Sequence, residues 1–312
     1  MHSFSDAAIE VARRLAADAD LPPVTDGEAI DPDSYGLDNR LTRCVLSDGK
    51  EVLLRQSSFL MHSPRNRVDF LRGNRIPVPR CYAAGDTGSA LWEFVPGRPL
   101  GDVVDRKAAD DIVWWRTGAA MAAVHAVSFP APLQGPIGLN GLKLRFLDPV
   151  DQLHQDIDAV RDWVAHHRLT LTSSLDRVSG LVDARASQIR EERPASPMGS
   201  EPVEHHRDQK VQLIDWDFPM VRYPMAELSA LDEHTYLHGS EGLPAAFFAG
   251  YGREVSSELL LVHRIVGCLG WLSGDDWALW NADPDVPLLA RDRLDRWHKR
   301  LLIWADRIPD LI

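Results

Sequence analysis

Val211-Gln212-Leu213-Ile214-Asp215-Trp216-Asp217 is an apolar run that ends abruptly in two carboxylates flanking a tryptophan. A run of this composition buries itself as a strand and carries the acid pair at its tip to a cleft, where hard divalent cations and phosphates are the usual guests. A plainer role is open to the same residues, since an aspartate at a strand end also caps the next turn. Just upstream lies Met198-Gly199-Ser200-Glu201-Pro202-Val203-Glu204-His205-His206. Its glutamates and histidines suit acid–base or metal chemistry, although adjacent histidines on a polar stretch are ordinarily solvated.

Composition bounds what surrounds this motif. A chain of 312 residues with 45% hydrophobic content can bury one large core or two lobes around a cleft. A formal charge of −12 argues against a nucleic-acid or anionic-membrane partner, because either is held by clustered Lys and Arg. Cys44, Cys81 and Cys268 are widely spaced, so neither a disulfide framework nor a zinc site is signalled, and a reducing cytoplasm fits best. The first residues are amphipathic and include Asp6 and Glu10, with no export signal, and no later run approaches about twenty apolar residues. The expectation is a soluble cytoplasmic protein.

Working outward, the chain divides into two compositional halves. Ala8, Ile9, Val11, Ala12 and Leu15 recur at helical spacing, and Pro22, Pro23 and Pro32 end that helix. From Gly36 to Phe94 the pattern is of short strands. Two apolar runs around Ser47-Asp48-Gly49-Lys50 predict a hairpin, since Asp-Gly supplies the positive φ of a tight turn. Ala90 to Val95 is a further strand, closed by Pro96-Gly97. Beyond Asp102 helical periodicity dominates, with helices predicted over 108–127, 150–168, 172–193, 225–237, 244–251, 256–272 and 288–308. The predicted fold class is α+β, with a small antiparallel sheet lobe over residues 1–95 and a larger helical lobe over 96–312.

Six segments in order now carry a resemblance: Gly36-Leu37-Asp38-Asn39-Arg40, Arg55, Ile76-Pro77-Val78-Pro79, Trp92-Glu93-Phe94-Val95-Pro96-Gly97, Val124-His125 and Ile214-Asp215-Trp216-Asp217. Together they resemble the aminoglycoside phosphotransferase and choline kinase branch of the protein-kinase-like fold, over roughly residues 30 to 240. The resemblance implies a two-lobed kinase using ATP or GTP with Mg2+. Asn39 and Arg40 would then belong to the turn over the nucleotide phosphates, and Arg55 would hold the phosphates with a permanently charged, bidentate guanidinium. The backbone of Glu93, Phe94 and Val95 would meet the base edge, with Leu53 and Phe94 as walls. Asp215 would chelate magnesium, joined by Asp217 and by His205 in place of the family's asparagine. Such chemistry rests mainly on positioning and charge neutralisation. Glu227, in Pro224-Met225-Ala226-Glu227, falls on a position that braces the catalytic loop, and His125 reads as a core histidine with a backbone partner.

The departures matter equally. The family's His-Gly-Asp falls on Met198-Gly199-Ser200, and a serine does not accept a substrate proton as a carboxylate does. Glu201 or Glu204 would have to substitute. The helix expected to supply an acid to Arg55 reads Ser63-Pro64-Arg65-Asn66-Arg67, with no acid before Asp69. His206-Arg207-Asp208 spells a kinase tripeptide, yet it lies too close to Asp215 and reads as a hairpin turn. Three functions stay open: a phosphotransferase acting on a hydroxyl of a small molecule or peptide, a degenerate pseudokinase binding a partner protein, or different acid–base chemistry at the Glu201 to His206 cluster.

Overall fold

A computed structural model describes residues 3–30, 39–57, 64–85, 88–138, 141–195, 201–205, 210–214, 220–274 and 288–312. The chain divides into two compact units. The first comprises Met1–Pro99, Ile137–Gly141 and Gly199–Phe218; the second comprises Leu100–Pro136, Leu142–Met198 and Pro219–Ile312.

The first unit is built on a five-stranded antiparallel sheet of order β1-β2-β3-β5-β4. Its strands are β1 (Val24–Ala29), β2 (Asn39–Leu46), β3 (Glu51–Ser57), β4 (Cys81–Ala84) and β5 (Ser89–Glu93). Helix α1 (Ser3–Asp18) buries Ala8, Ala12, Leu15 and Ala16, a stripe spaced to face one side. That stripe packs with Cys44, Leu46, Val52, Leu54 and Leu91, alternate residues that share one sheet face. The β2–β3 turn forms as its sequence dictates: Gly49 adopts φ +83°, and Asp48 Oδ1 accepts the Lys50 N–H at 3.0 Å. Strand β1 was not anticipated, because Val-Thr-Asp-Gly-Glu-Ala lacks apolar alternation. It is an edge strand that buries only Val24.

A short helix α2 (Pro64–Gly73) lies where one was expected. Two further strands, β7 (Glu201–His205) and β8 (Lys210–Ile214), form an antiparallel hairpin beside β6 (Arg98–Pro99). The kinase-like tripeptide falls in the stretch 206–209 between the two strands, outside the described residues.

The second unit is mainly helical. Its longer helices are α4 (Asp111–Ala126), α5 (Pro149–His167), α6 (Thr172–Ala184), α8 (Pro224–Leu237), α9 (Ala245–Tyr251), α10 (Ser257–Ser273) and α11 (Leu288–Asp306), with a short α3 (Leu100–Asp105) before α4 and a short α7 (Ala186–Glu191) after α6. Starts follow capping chemistry: Asp110, Asp148 and Ser256 accept first-turn N–H groups. The single helix predicted over 172–193 breaks at Arg185, whose φ of −106° and ψ of 8° leave the helical region. Gly118 of α4 and Gly250 of α9 allow these helices to touch backbone to backbone, since a Cβ on either would overlap the facing chain. Among the described residues, no helix is long and apolar enough to cross a membrane.

Candidate functional site

In the first unit the β2–β3–β5 register fixes which side chains share a face. Arg55 lies opposite Leu41 on one side and Ala90 on the other, and Leu53 lies opposite Arg43 and Trp92. Arg55 therefore sits on the face opposite the α1 core, with its side chain buried at 8% exposure. A buried guanidinium is tolerated only with partners, and Arg55 has them. Arg40 pairs with Gln56, so by strand alternation it belongs to the other face and is exposed. Asn39, at the start of β2, pairs with Ser57. The Gly36 to Asp38 turn lies outside the described residues.

At the end of β5, Glu93 is engaged twice. Its N–H donates to Arg80 O at 2.8 Å, and its carboxylate accepts the Arg80 N–H at 3.0 Å, with Arg72 Nη1 at 3.8 Å. The Arg43 guanidinium stacks 5.2 Å from the Phe94 ring centroid and pairs with Glu51. Val95 follows in the extended exit from the strand. Thus Glu93 is braced by Arg72 of α2 and by Arg80 before β4, and Phe94 by Arg43 of β2.

The β7–β8 hairpin ends at Ile214, immediately before the acid motif in sequence. Glu201 is directly opposite Ile214, the residue before Asp215, whereas His205 is opposite Lys210 at the other end of the ladder. With a rise of about 3.3 Å per residue, that separation is about 13 Å along the strand. Leu213 is fully buried, and its N–H donates to Pro77 O at 2.8 Å, tying the hairpin to the Ile76 to Pro79 segment. Asp215, Asp217 and Ser200 lie outside the described residues, and no metal-binding group of three or more His, Cys, Asp or Glu occurs among the described ones.

Whole-chain comparison decides the fold. The chain matches a fructosamine-3-kinase structure from Thermobifida fusca at TM-score 0.55 and 18% identity, covering 97% of this chain and 99% of that one. It matches choline kinase LicA from Streptococcus pneumoniae at TM-score 0.55 and 16% identity, covering 96% and 100%. It matches the streptomycin–ATP ternary complex of APH(2'')-IIa at TM-score 0.55 and 11% identity, covering 96% and 97%. The chain has the protein-kinase-like fold of the choline kinases and aminoglycoside phosphotransferases. No protein-family model matches the sequence, and no curated protein matches it.

Within the helical unit of this kinase-like chain, His125 occupies the core as its apolar helix face suggested, but its partners are side chains. Nδ1 meets Tyr251 Oη at 2.7 Å and Nε2 meets Glu227 at 2.8 Å, both side chains of the His–Glu pair being buried. Burial raises the Glu227 carboxyl above its usual range, opposed by the His125 hydrogen bond. Glu192, for which no local motif predicts a role, lies beside this group. Burial pushes it up to about 7, and its favourable contact is the Met225 N–H. The surrounding chain is stitched together by Ala195, which exchanges backbone hydrogen bonds with Arg222, and by Phe129 N–H donating to Pro194 O at 2.7 Å. These pairings join the end of α4 to the start of α8. They depend on residues 27 and 65 positions apart, so no local signal foretold them.

Proposed function

We propose that this protein is an ATP-dependent phosphotransferase acting on a hydroxyl of a small molecule. Two features of the first unit support this reading: a buried Arg55 on the sheet face turned away from α1, and a paired strand ending at Ile214, after which the sequence runs into Asp215-Trp216-Asp217. The donor chemistry fits the ligands: a buried, permanently charged guanidinium suits phosphate oxygens, and carboxylates suit a hard divalent cation. ATP is preferred to GTP as the donor because one structure of the same fold is an ATP complex and another is ADP-bound.

Bound Mg2+ and nucleotide supply the transferable phosphoryl group and offset its charge. Arg55 steadies the phosphates. Because the Glu93 N–H is committed to Arg80 O, Glu93 offers the base its carbonyl and Val95 its N–H. Asp215 would be the first residue to hold the metal ion. Asp217 and His205 are secondary candidates, since the ladder separates His205 from Ile214 by four residues. Glu201 takes the acceptor hydroxyl proton in place of the aspartate that Ser200 replaces, and its position opposite Ile214 places its backbone about 5 Å from the strand tip.

The acceptor classes to try first are those named for structures of this fold: fructosamines, choline, ethanolamine and aminoglycosides. Purified protein with Mg2+ and ATP is incubated with each, and ADP release is followed. Acceptor-dependent ADP formation is the expected result; no ADP with any hydroxyl compound, together with no nucleotide binding, overturns the proposal. Ser200 favours a second function, a pseudokinase that binds nucleotide and a partner protein without turnover. Nucleotide binding with no transfer, unchanged by Ser200→Asp, is the outcome that selects it.

A further inference from the structure

A cavity of about 320 Å³ opens in the helical unit where α4, α8 and the end of α9 meet the extended residues after α7. That volume suits a small organic molecule. Its apolar lining includes Met225, Leu228 and Val255, and its charged and polar lining includes His125, Glu192, Arg193, Arg253 and Glu254. Of these, His125 and Arg253 are already committed. Both His125 ring nitrogens are occupied by Tyr251 and Glu227. Arg253 turns Nη1 to His125 O at 3.1 Å and lies 5.9 Å from the Tyr251 ring centroid.

Glu192 differs. Among the described residues it forms no ion pair, although Arg193 and Arg253 line the same cavity, and its carboxylate receives the Met225 N–H. Burial has moved it to about 7, as expected of an acid held in a cavity without its counter-charge. Glu192 lines the cavity, and because a carboxylate has about four acceptor sites, one backbone donor leaves most of its capacity unused. We infer that this cavity is a binding site for a small organic ammonium, held by Glu192 and packed against Met225, Leu228 and Val255.

The test uses the full chain with carbon-13 methyl-labelled methionine. Six methionines give a simple spectrum, and Met225→Leu assigns the resonance in the cavity. The probes are cyclohexylammonium, its neutral counterpart cyclohexanol and its anionic counterpart cyclohexanecarboxylate. The ammonium should shift the Met225 methyl saturably and bind about tenfold or more tightly than the alcohol, the usual worth of a hydrogen bond to a charged group. Glu192→Gln should bring the ammonium to the level of the alcohol, and Val255→Trp, which fills the cavity, should abolish both. The inference is overturned by no saturable shift with the ammonium, by equal binding of the alcohol, by tighter binding of the carboxylate, or by a preference that survives Glu192→Gln. No nucleotide is present, so the outcome is independent of the phosphotransferase proposal.

Discussion

His125 and Glu227 meet at 2.8 Å across the α4–α8 contact, with neither side chain open to solvent. The second imidazole nitrogen is held by Tyr251, so three helices are joined by one buried polar chain. Removing one member leaves the others desolvated and unpaired, which is far worse than removing both. His125→Ala should therefore lower unfolding free energy by about 3 kcal/mol. Glu227→Gln keeps shape and a hydrogen bond and should cost clearly less. Urea unfolding of both variants measures the difference.

The α4–α9 contact should be intolerant of a single methyl group. A Cβ on Gly118 would lie 2.7 Å from Tyr251 N and would overlap Phe247 O, both backbone atoms of α9. Backbone cannot rotate aside as a side chain does, so the helices must part. Gly118→Ala should cost about 3 kcal/mol. Gly180→Ala, where a Cβ meets nothing within 4 Å, is the control and should be neutral or stabilising. Thermal midpoints of the two variants check the contrast.

Stability should fall between pH 6.5 and 8. Burial raises Glu233 to about 8 and Glu192 to about 7, so in that range the native state holds protons that the unfolded chain has released. Stability from a raised carboxyl is complete below its unfolded value and is lost as pH climbs through the folded one. His263, pushed down to about 4 by burial, acts oppositely and only below its unfolded value near 6.5, so it does not mask the decline. The slope from Glu233 approaches about 1.4 kcal/mol per pH unit. Denaturant midpoints at pH 6.5, 7 and 8 should show the fall, and Glu233→Gln should flatten it.

Much of this architecture was legible because it is local. Asp48-Gly49 between apolar runs specified the β2–β3 turn, and Ala8, Ala12 and Leu15 specified the face of α1 that meets the sheet. The spacing of Asp208 from Asp215 left no room for a catalytic loop, and residues 206–209 do separate two paired strands. Features created by tertiary contact were not legible. Strand β1 exists because β2 offers it an edge, not through its own alternation. The helical break at Arg185 has no glycine or proline to announce it. His125 was placed in the core correctly, but its partners lie 102 and 126 residues away, and Glu192 acquires its character only through burial in the folded chain.

Ser200 gives the most direct handle on the altered catalytic segment. If Glu201 carries the acceptor proton as a substitute, restoring an acid one residue earlier should help the transfer step. Ser200→Asp is expected to raise acceptor-dependent turnover by about 100-fold, the lower range for a positioned general base. ADP release with the best acceptor, compared with Glu201→Gln, reads the exchange of roles: loss with Glu201→Gln and gain with Ser200→Asp.

In the proposed mechanism Arg55 grips the phosphates of a nucleotide. Calorimetric titration of the intact protein with Mg2+ and a non-hydrolysable ATP analogue tests it most directly, with Arg55→Met as the comparison and a thermal midpoint confirming that the variant is folded. Saturable binding that weakens about tenfold or more in Arg55→Met is the predicted result. No saturable heat from the unmodified protein, or equal affinity in the folded variant, would contradict it.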